Sequence, residues 1–258
     1  MTLKYSTGAR QYLANSGSLR NAFNNGRIEI YSGAQPANAD AAVTGTLLCT
    51  ITANSAAKTD EVLATGSLTL NTGAAGSVDT LTVNGIEIMG ASVPFNTSLA
   101  QTAADVAAQC QRYNSFVEYD VTSSGAVITI TARRGTGASP NGFVVAATFT
   151  TITGTPANMA SGVTAVNGLS LQQAVAGVLD KDANQIWSGV NGASGTAGWY
   201  RWYGSTADAG GLDSAGVEIR EDGSIATSGA DLNMAGSTSL TATATTAITG
   251  WQRTENTL

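Results

Sequence analysis

The sequence predicts a mainly β protein: a β-sandwich-like host domain, 1–56 and 164–258, interrupted by a small α+β domain over 60–160 with one central helix. Three observations predict it. Runs of alternating polar and apolar residues, punctuated by Gly, Asn and Pro, recur along the chain, as half-buried strands require. One segment alone carries a sustained helical stripe, with Leu99, Ala103, Val106, Cys110 and Tyr113 on one face. Composition shifts at 53–66 and again at 154–162, after which the first pattern resumes. An insertion of this kind is cheap, because closing a loop costs only about 0.6 kcal/mol per doubling of its length.

Residues 2–25 read as a short helical start, broken at Ser16-Gly17 and stopped by Asn24-Asn25-Gly26, which tolerate left-handed backbone. Arg27 to Tyr31 alternates as a strand, and 45–52 is a second, with Leu47, Cys49 and Ile51 on one face. In the insert, 67–70 is a strand, and 79–88 is a hairpin turning at Asn84-Gly85, a strong short-range signal. Ser98 caps the central helix, whose stripe predicts a buried Cys110. Segments 116–121, 126–132 and 143–149 alternate again, and 154–162 reads as a connector. Beyond it, 169–178 is ambiguous between helix and strand. Residues 185–189 and 198–204 are strands, 215–226 a hairpin around Asp222-Gly223, and 231–234 and 240–248 further strands. Asn256-Thr257-Leu258 reads as a loose end.

Composition narrows the function. The 258 residues hold 12 Lys and Arg against 18 Asp and Glu, a net charge of −6, and no histidine. Histidine-based nucleophile pairs and histidine-ligated zinc are therefore excluded from this chain, and its two cysteines cannot form a four-cysteine metal site. An acidic balance argues against direct nucleic-acid binding. No apolar run reaches the 18 residues of a membrane span, and no leader is visible near Met1, so a soluble product made in the cytoplasm is expected. Charged residues make up 12%, about half the usual share, so Thr, Ser, Ala, Asn and Gly must cover the surface. Interfaces are depleted in Lys, Glu and Asp, so such a surface points to an assembly subunit packed against copies of itself or against neighbours.

Few residues suggest chemistry, and no cofactor or catalytic set is expected. Asp180-Lys181-Asp182 lacks the ligand spacing of a calcium loop and reads as a solvated turn. Glu218 and Arg220 share a strand face, where opposite charges pair. Gly135-Thr136-Gly137 has the glycines of a phosphate loop but not its lysine, and reads as a flexible turn. Cys49 and Cys110 fall in different domains, as buried free thiols. The most informative segment is Trp199, Tyr200, Arg201, Trp202 and Tyr203. Alternation places Trp199, Arg201 and Tyr203 on one face and Tyr200 and Trp202 on the other. Exposed, these rings would suit a protein interface or sugar stacking, with Trp199, Trp202 and Tyr203 as platforms for a host-surface glycan; the other reading is a strand buried on one face and half-covered on the other.

The run Asn25 to Pro36, with Ala39-Asp40-Ala41-Ala42 and Thr44 to Leu48, resembles a group of tailed-bacteriophage virion proteins that share a strand of the form I-x-I-Y-S-G-x-Q-P. Gly198 to Gly204 and Ile225 to Met234 resemble the same group. The middle segment resembles a module found inserted in phage tail and structural proteins, through Gly66 to Leu70, Val83-Asn84-Gly85, Ala103 to Ala107 and Gly137 to Phe143. The resemblance implies a non-enzymatic virion component present in many copies, a capsid decoration or a head–tail or tail-surface protein, with a tail-tube protein as the alternative. Its implied partners are other copies of itself and phage capsid or tail proteins, and its implied location is the virion.

Overall fold

The computed structural model describes residues 3–15, 17–113 and 118–254. It is mainly β, with several antiparallel sheets and one long helix. The chain divides into two compact units, Met1–Asp60 with Ala165–Leu258, and Glu61–Thr164. In chain order the first unit begins with β1 (Lys4–Tyr5), α1 (Thr7–Asn15), α2 (Leu19–Phe23), β2 (Arg27–Ser32) and β3 (Leu47–Ala53). The second unit comprises β4 (Thr65–Thr72), β5 (Ser77–Val83), β6 (Ile86–Glu87), β7 (Val93–Pro94), α3 (Leu99–Arg112), β8 (Tyr119–Ser124), β9 (Val127–Ala132), β10 (Val145–Thr150) and β11 (Thr153–Ala160). The first unit resumes with β12 (Val178–Asp180), β13 (Trp187–Val190), β14 (Gly195–Tyr203), β15 (Arg220–Ala226), β16 (Leu232–Asn233), β17 (Ser239–Leu240), β18 (Thr245–Ile248) and β19 (Gln252–Thr254).

The first unit is built on one sheet in the order β1-β15-β14-β2-β3-β13-β18, antiparallel throughout, with β16 beside β15 and β17 beside β14. One face is apolar. Ile28, Ile30, Cys49, Ile51, Trp187, Tyr200, Trp202 and Ile248 pack there with Ala9, Ala22 and Phe23 of the two helices and with Leu169, Leu171 and Leu179. Trp202 meets Trp187 and Trp251 edge-on, at ring-centre distances of 5.5 and 4.9 Å, an arrangement the ring quadrupoles favour. Gly26 lets the chain enter this core: a Cβ there would lie 2.0 Å from the Tyr203 carbonyl oxygen.

The second unit holds two four-stranded sheets, β11-β4-β9-β8 and β10-β5-β6 with β7 on β5. The amphipathic helix α3 turns Ala103, Val106 and Cys110 into their shared core with Leu68, Val83, Ile128 and Ile130. The Ser98 hydroxyl caps it by accepting from the Gln101 N–H at 3.1 Å. At the Asn84-Gly85 turn both residues have positive φ, 50° and 79°, as a two-residue hairpin of this twist requires. The outer faces carry Thr side chains bonded across strands, Thr80 with Thr148 and Thr72 with Thr153.

Several expectations are corrected. Residues 153–160 are not a connector but strand β11 on β4; a run with one proline and few β-branched residues hid it, and Pro156 is tolerated at a sheet edge. Asp222-Gly223 is not a turn. Both lie mid-strand in β15, where Gly223 makes room for the Tyr200 ring, 2.4 Å from where a Cβ would sit. Most of 169–178 forms neither helix nor strand, but isolated bridges that include Gly26 to Leu169 and Leu171 to Lys181. Tyr113 ends the helical stripe half-exposed. The expected strand start at 116–117 and the loose end at 256–258 lie outside the described residues.

Candidate functional site

The segment Trp199 to Tyr203 forms the second half of β14, between β2 and β15. The alternation read from the sequence holds: Tyr200 and Trp202 enter the apolar face, and Trp199, Arg201 and Tyr203 the opposite one. Of the two readings, exposed rings or a strand buried on one face and half-covered on the other, the structure is nearer the second and goes beyond it. All five side chains lie at 2% exposure or less. None is a stacking platform for a sugar, because loops from 33–46 and 204–219 cover the second face.

That second face is an ionic layer. Arg201 lies opposite Asp222 and forms a two-pronged pair with it, Nε to Oδ1 at 2.6 Å and Nη2 to Oδ2 at 2.8 Å, while Nη1 donates to the Ala41 carbonyl at 3.0 Å. Arg220 forks onto Asp208, both bonds at 2.7 Å, and reaches the Gly211 carbonyl at 2.8 Å. The strand-face reading that joined it to Glu218 is corrected: β15 starts at Arg220, so Glu218 lies outside the strand, and the Arg220 fork is taken by Asp208. Arg27 donates to Glu29 at 2.7 Å and its guanidinium lies 4.2 Å over the Tyr203 ring. Tyr31 donates to Glu29 and stacks on Trp199 at 4.7 Å. On the apolar side the fully buried Glu221 accepts from Tyr200 at 3.0 Å and from Arg253 at 2.6 Å. Such paired forks satisfy the charges that burial would otherwise penalise.

Burial and the nearby Glu29 charge push the Tyr203 hydroxyl up to about 12, and burial pushes the Cys49 thiol up to about 11. Tyr31 is raised for the same reasons as Tyr203, with the Glu29 hydrogen bond added. Burial opposes the Asp213 charge, but the N–H groups of Glu218, Val217 and Gly216 hold that carboxyl below its usual range. Cys49 and Cys110 are both free and buried.

Other candidate segments resolve into structure. The glycine turn closes on an anion after all, but on one of the chain's own: the buried Glu61 carboxylate accepts the N–H of Gly135 at 2.8 Å and of Gly137 at 2.9 Å. Lys181 folds back onto the Asp182 and Gln185 carbonyls. Arg133 pairs with Glu118 at 3.5 Å on the surface. A cleft of about 810 Å³ in the first unit is lined by Tyr5, Leu13, Leu19, Arg20, Leu179 and Arg253, among others, but the Arg253 charge is already matched by Glu221. Among the described residues no group of His, Cys, Asp and Glu is arranged to hold a metal ion, and no helix is long and apolar enough to cross a membrane.

Sequence reasoning gave no role to Arg27, Glu29, Asp208 and Glu221, paired Arg220 with Glu218, and placed Asp222 in a turn. Their signal was present: Arg27-Ile28-Glu29-Ile30-Tyr31 alternates with the same period as Trp199 to Tyr203, so two charged faces could be paired. No protein-family model matches this chain, and no curated protein or solved structure matches it either.

Proposed function

We propose that this chain is a non-enzymatic structural protein of a bacteriophage virion, present in many copies as a capsid decoration or a head–tail or tail-surface component. The observation that carries the proposal is where the charge goes. Of only 12 Lys and Arg, Lys58, Arg27, Arg201, Arg220 and Arg253 sit in ion pairs with side chains 17% exposed or less. Thr, Ser, Ala, Asn and Gly cover much of the outer surface, with apolar side chains such as Ile86, Val175, Ile186 and Leu212 exposed among them. A surface sparse in charge approaches its neighbours with less charge to desolvate. The sequence resemblance to virion proteins points the same way. Burial of Trp199, Trp202 and Tyr203 speaks against the glycan-binding alternative.

The test is co-sedimentation of the purified chain with capsids and tails that lack it. Saturable binding to one of the two is the expected result. A chain that binds neither, and that is missing from assembled particles, overturns the proposal.

A further inference from the structure

We infer that Asn84 is a modification site, at which the chain converts its own side-chain amide to a carboxylate without an enzyme. The chemistry belongs to an Asn-Gly pair, where no Cβ on the second residue hinders the approach of its backbone nitrogen. A base in solvent takes the Gly85 N–H proton. The nitrogen bonds to Asn84 Cγ, the Cγ–Nδ2 bond breaks, and the amide nitrogen leaves as ammonia. Water then opens the cyclic imide at either carbonyl. The product is aspartate, or isoaspartate where the backbone now runs through the side chain.

The chain holds five Asn-Gly pairs, at 25–26, 84–85, 141–142, 167–168 and 191–192, and the fold separates them. At four of them it holds a reacting group. Gly26 is buried, its N–H donates to the Phe23 carbonyl at 3.1 Å, and Asn25 is tied to the Leu169 carbonyl. The Asn141 amide bonds Gly162 through both its nitrogen and its oxygen, at 2.9 and 2.8 Å, while the Gly142 N–H donates to the Met159 carbonyl at 2.7 Å. The Asn167 amide donates to the Ala57 carbonyl at 2.8 Å, and Gly168 is buried against Asn25. Asn191 is buried. Its amide donates to the Thr241 carbonyl at 2.9 Å and accepts from Thr246 at 2.7 Å, and the Gly192 N–H donates to the Leu48 carbonyl at 2.9 Å.

Asn84 and Gly85 differ on every count. Both are exposed, and among the described residues neither the Asn84 side-chain amide nor the Gly85 N–H has a hydrogen-bond partner. Ring closure requires the peptide between them to turn out of the left-handed geometry recorded by their φ of 50° and 79°. Little opposes that turn. A Cβ built on Gly85 would meet nothing within 4 Å beyond its chain neighbours, so the space around the peptide is open. Strand β6 beyond it has only two residues, paired with Thr82 and Val83. The Asn84 N–H donates to the Val144 carbonyl at 2.8 Å, but it precedes the rotating bond and keeps its partner. A tip held so lightly opens at low cost, whereas the other four pairs are released only by larger openings. Conversion sets a carboxylate near Val144 and Ile86, which stand at 53% and 66% exposure, and isoaspartate lengthens a turn built for two residues.

The experiment is peptide mapping by mass spectrometry of the full chain aged in mildly alkaline buffer, folded and in urea, with Asn84→Gln aged alongside. Isoaspartate is read by its methyl-acceptor assay. In the folded chain Asn84 converts at least roughly tenfold faster than the other four asparagines, while in urea the five convert at similar rates. Asn84→Gln, whose longer side chain closes the ring far more slowly, loses most of the folded chain's isoaspartate. A folded chain in which Asn84 converts no faster than the other Asn-Gly pairs overturns the inference. So does an Asn84 that converts in urea but stays intact in the folded chain, or isoaspartate that persists undiminished in Asn84→Gln.

Discussion

Replacing Asp222 by Ala strands the guanidinium of Arg201 inside the ionic layer. Arg201 and Asp222 are both 0% exposed, and Asp222 supplies two of the three hydrogen bonds found for Arg201, leaving only the Ala41 carbonyl. Breaking a buried pair from one side costs about 3–5 kcal/mol, because the remaining charge is uncompensated. In a unit of this size each kcal/mol lowers the melting temperature by roughly 2–4 °C, so a fall on the order of 10 °C is expected. Tryptophan fluorescence reads the right part of the molecule, since Trp187, Trp199, Trp202 and Trp251, the only tryptophans, all lie in the first unit. The double variant Arg201→Met/Asp222→Leu removes both charges and recovers most of the loss. A cost for Asp222→Ala below about 1 kcal/mol, or a double variant as unstable as the single, would refute the assignment of this pair as a buried, mutually dependent unit.

Further outcomes follow from the same geometry. Glu61→Gln withdraws the carboxylate that holds the Gly135 and Gly137 amides, costing about 1–3 kcal/mol, and those two amides exchange faster by NMR; unchanged protection counts against the clamp. Gly223→Ala drives a Cβ into the packed Tyr200 ring and lowers first-unit stability by about 1–3 kcal/mol in urea; an unchanged midpoint counts against this close approach. Alkaline stability follows from Cys49 and Tyr203, whose protons the folded state retains up to about 11 and about 12. Because the unfolded chain releases them from about 9 and 10, stability present below pH 9 is lost as pH rises through 12, by roughly 2–3 kcal/mol per group. Urea midpoints that do not move between about pH 8.5 and about pH 11.5 would contradict this. Neither cysteine reacts with a thiol reagent until the chain unfolds, as both are buried.

Much of the architecture was legible because strands and the one long helix announce themselves by period. The helical stripe as far as Cys110, though not its last member Tyr113, the Ser98 cap and the Asn84-Gly85 turn depend on local chemistry alone, and each is present. What period cannot reveal is whether a charged strand face meets water or another charged face. Arg201 reads equally as exposed or half-covered until Asp222 lies opposite, and Asp222-Gly223 reads as a turn until Tyr200 needs the space that a glycine leaves. That both faces of Trp199 to Tyr203 are covered is not legible for the same reason: the covering loops contribute carbonyls and the Asp208 carboxylate from positions far away in the chain. Strand β11 was missed because an edge can hold a proline that an interior strand cannot. The glycine turn hid its partner because Glu61 lies 74 residues from Gly135.

A chain with few charges, five of whose 12 basic side chains are tucked into sheltered ion pairs, is suited to sit among neighbours. Quantitative mass spectrometry of purified, nuclease-treated virions, calibrated against labelled peptides of this chain, counts how many copies each particle holds. A count well above that of single-copy particle proteins is the predicted result; particles that contain no trace of the chain would contradict it.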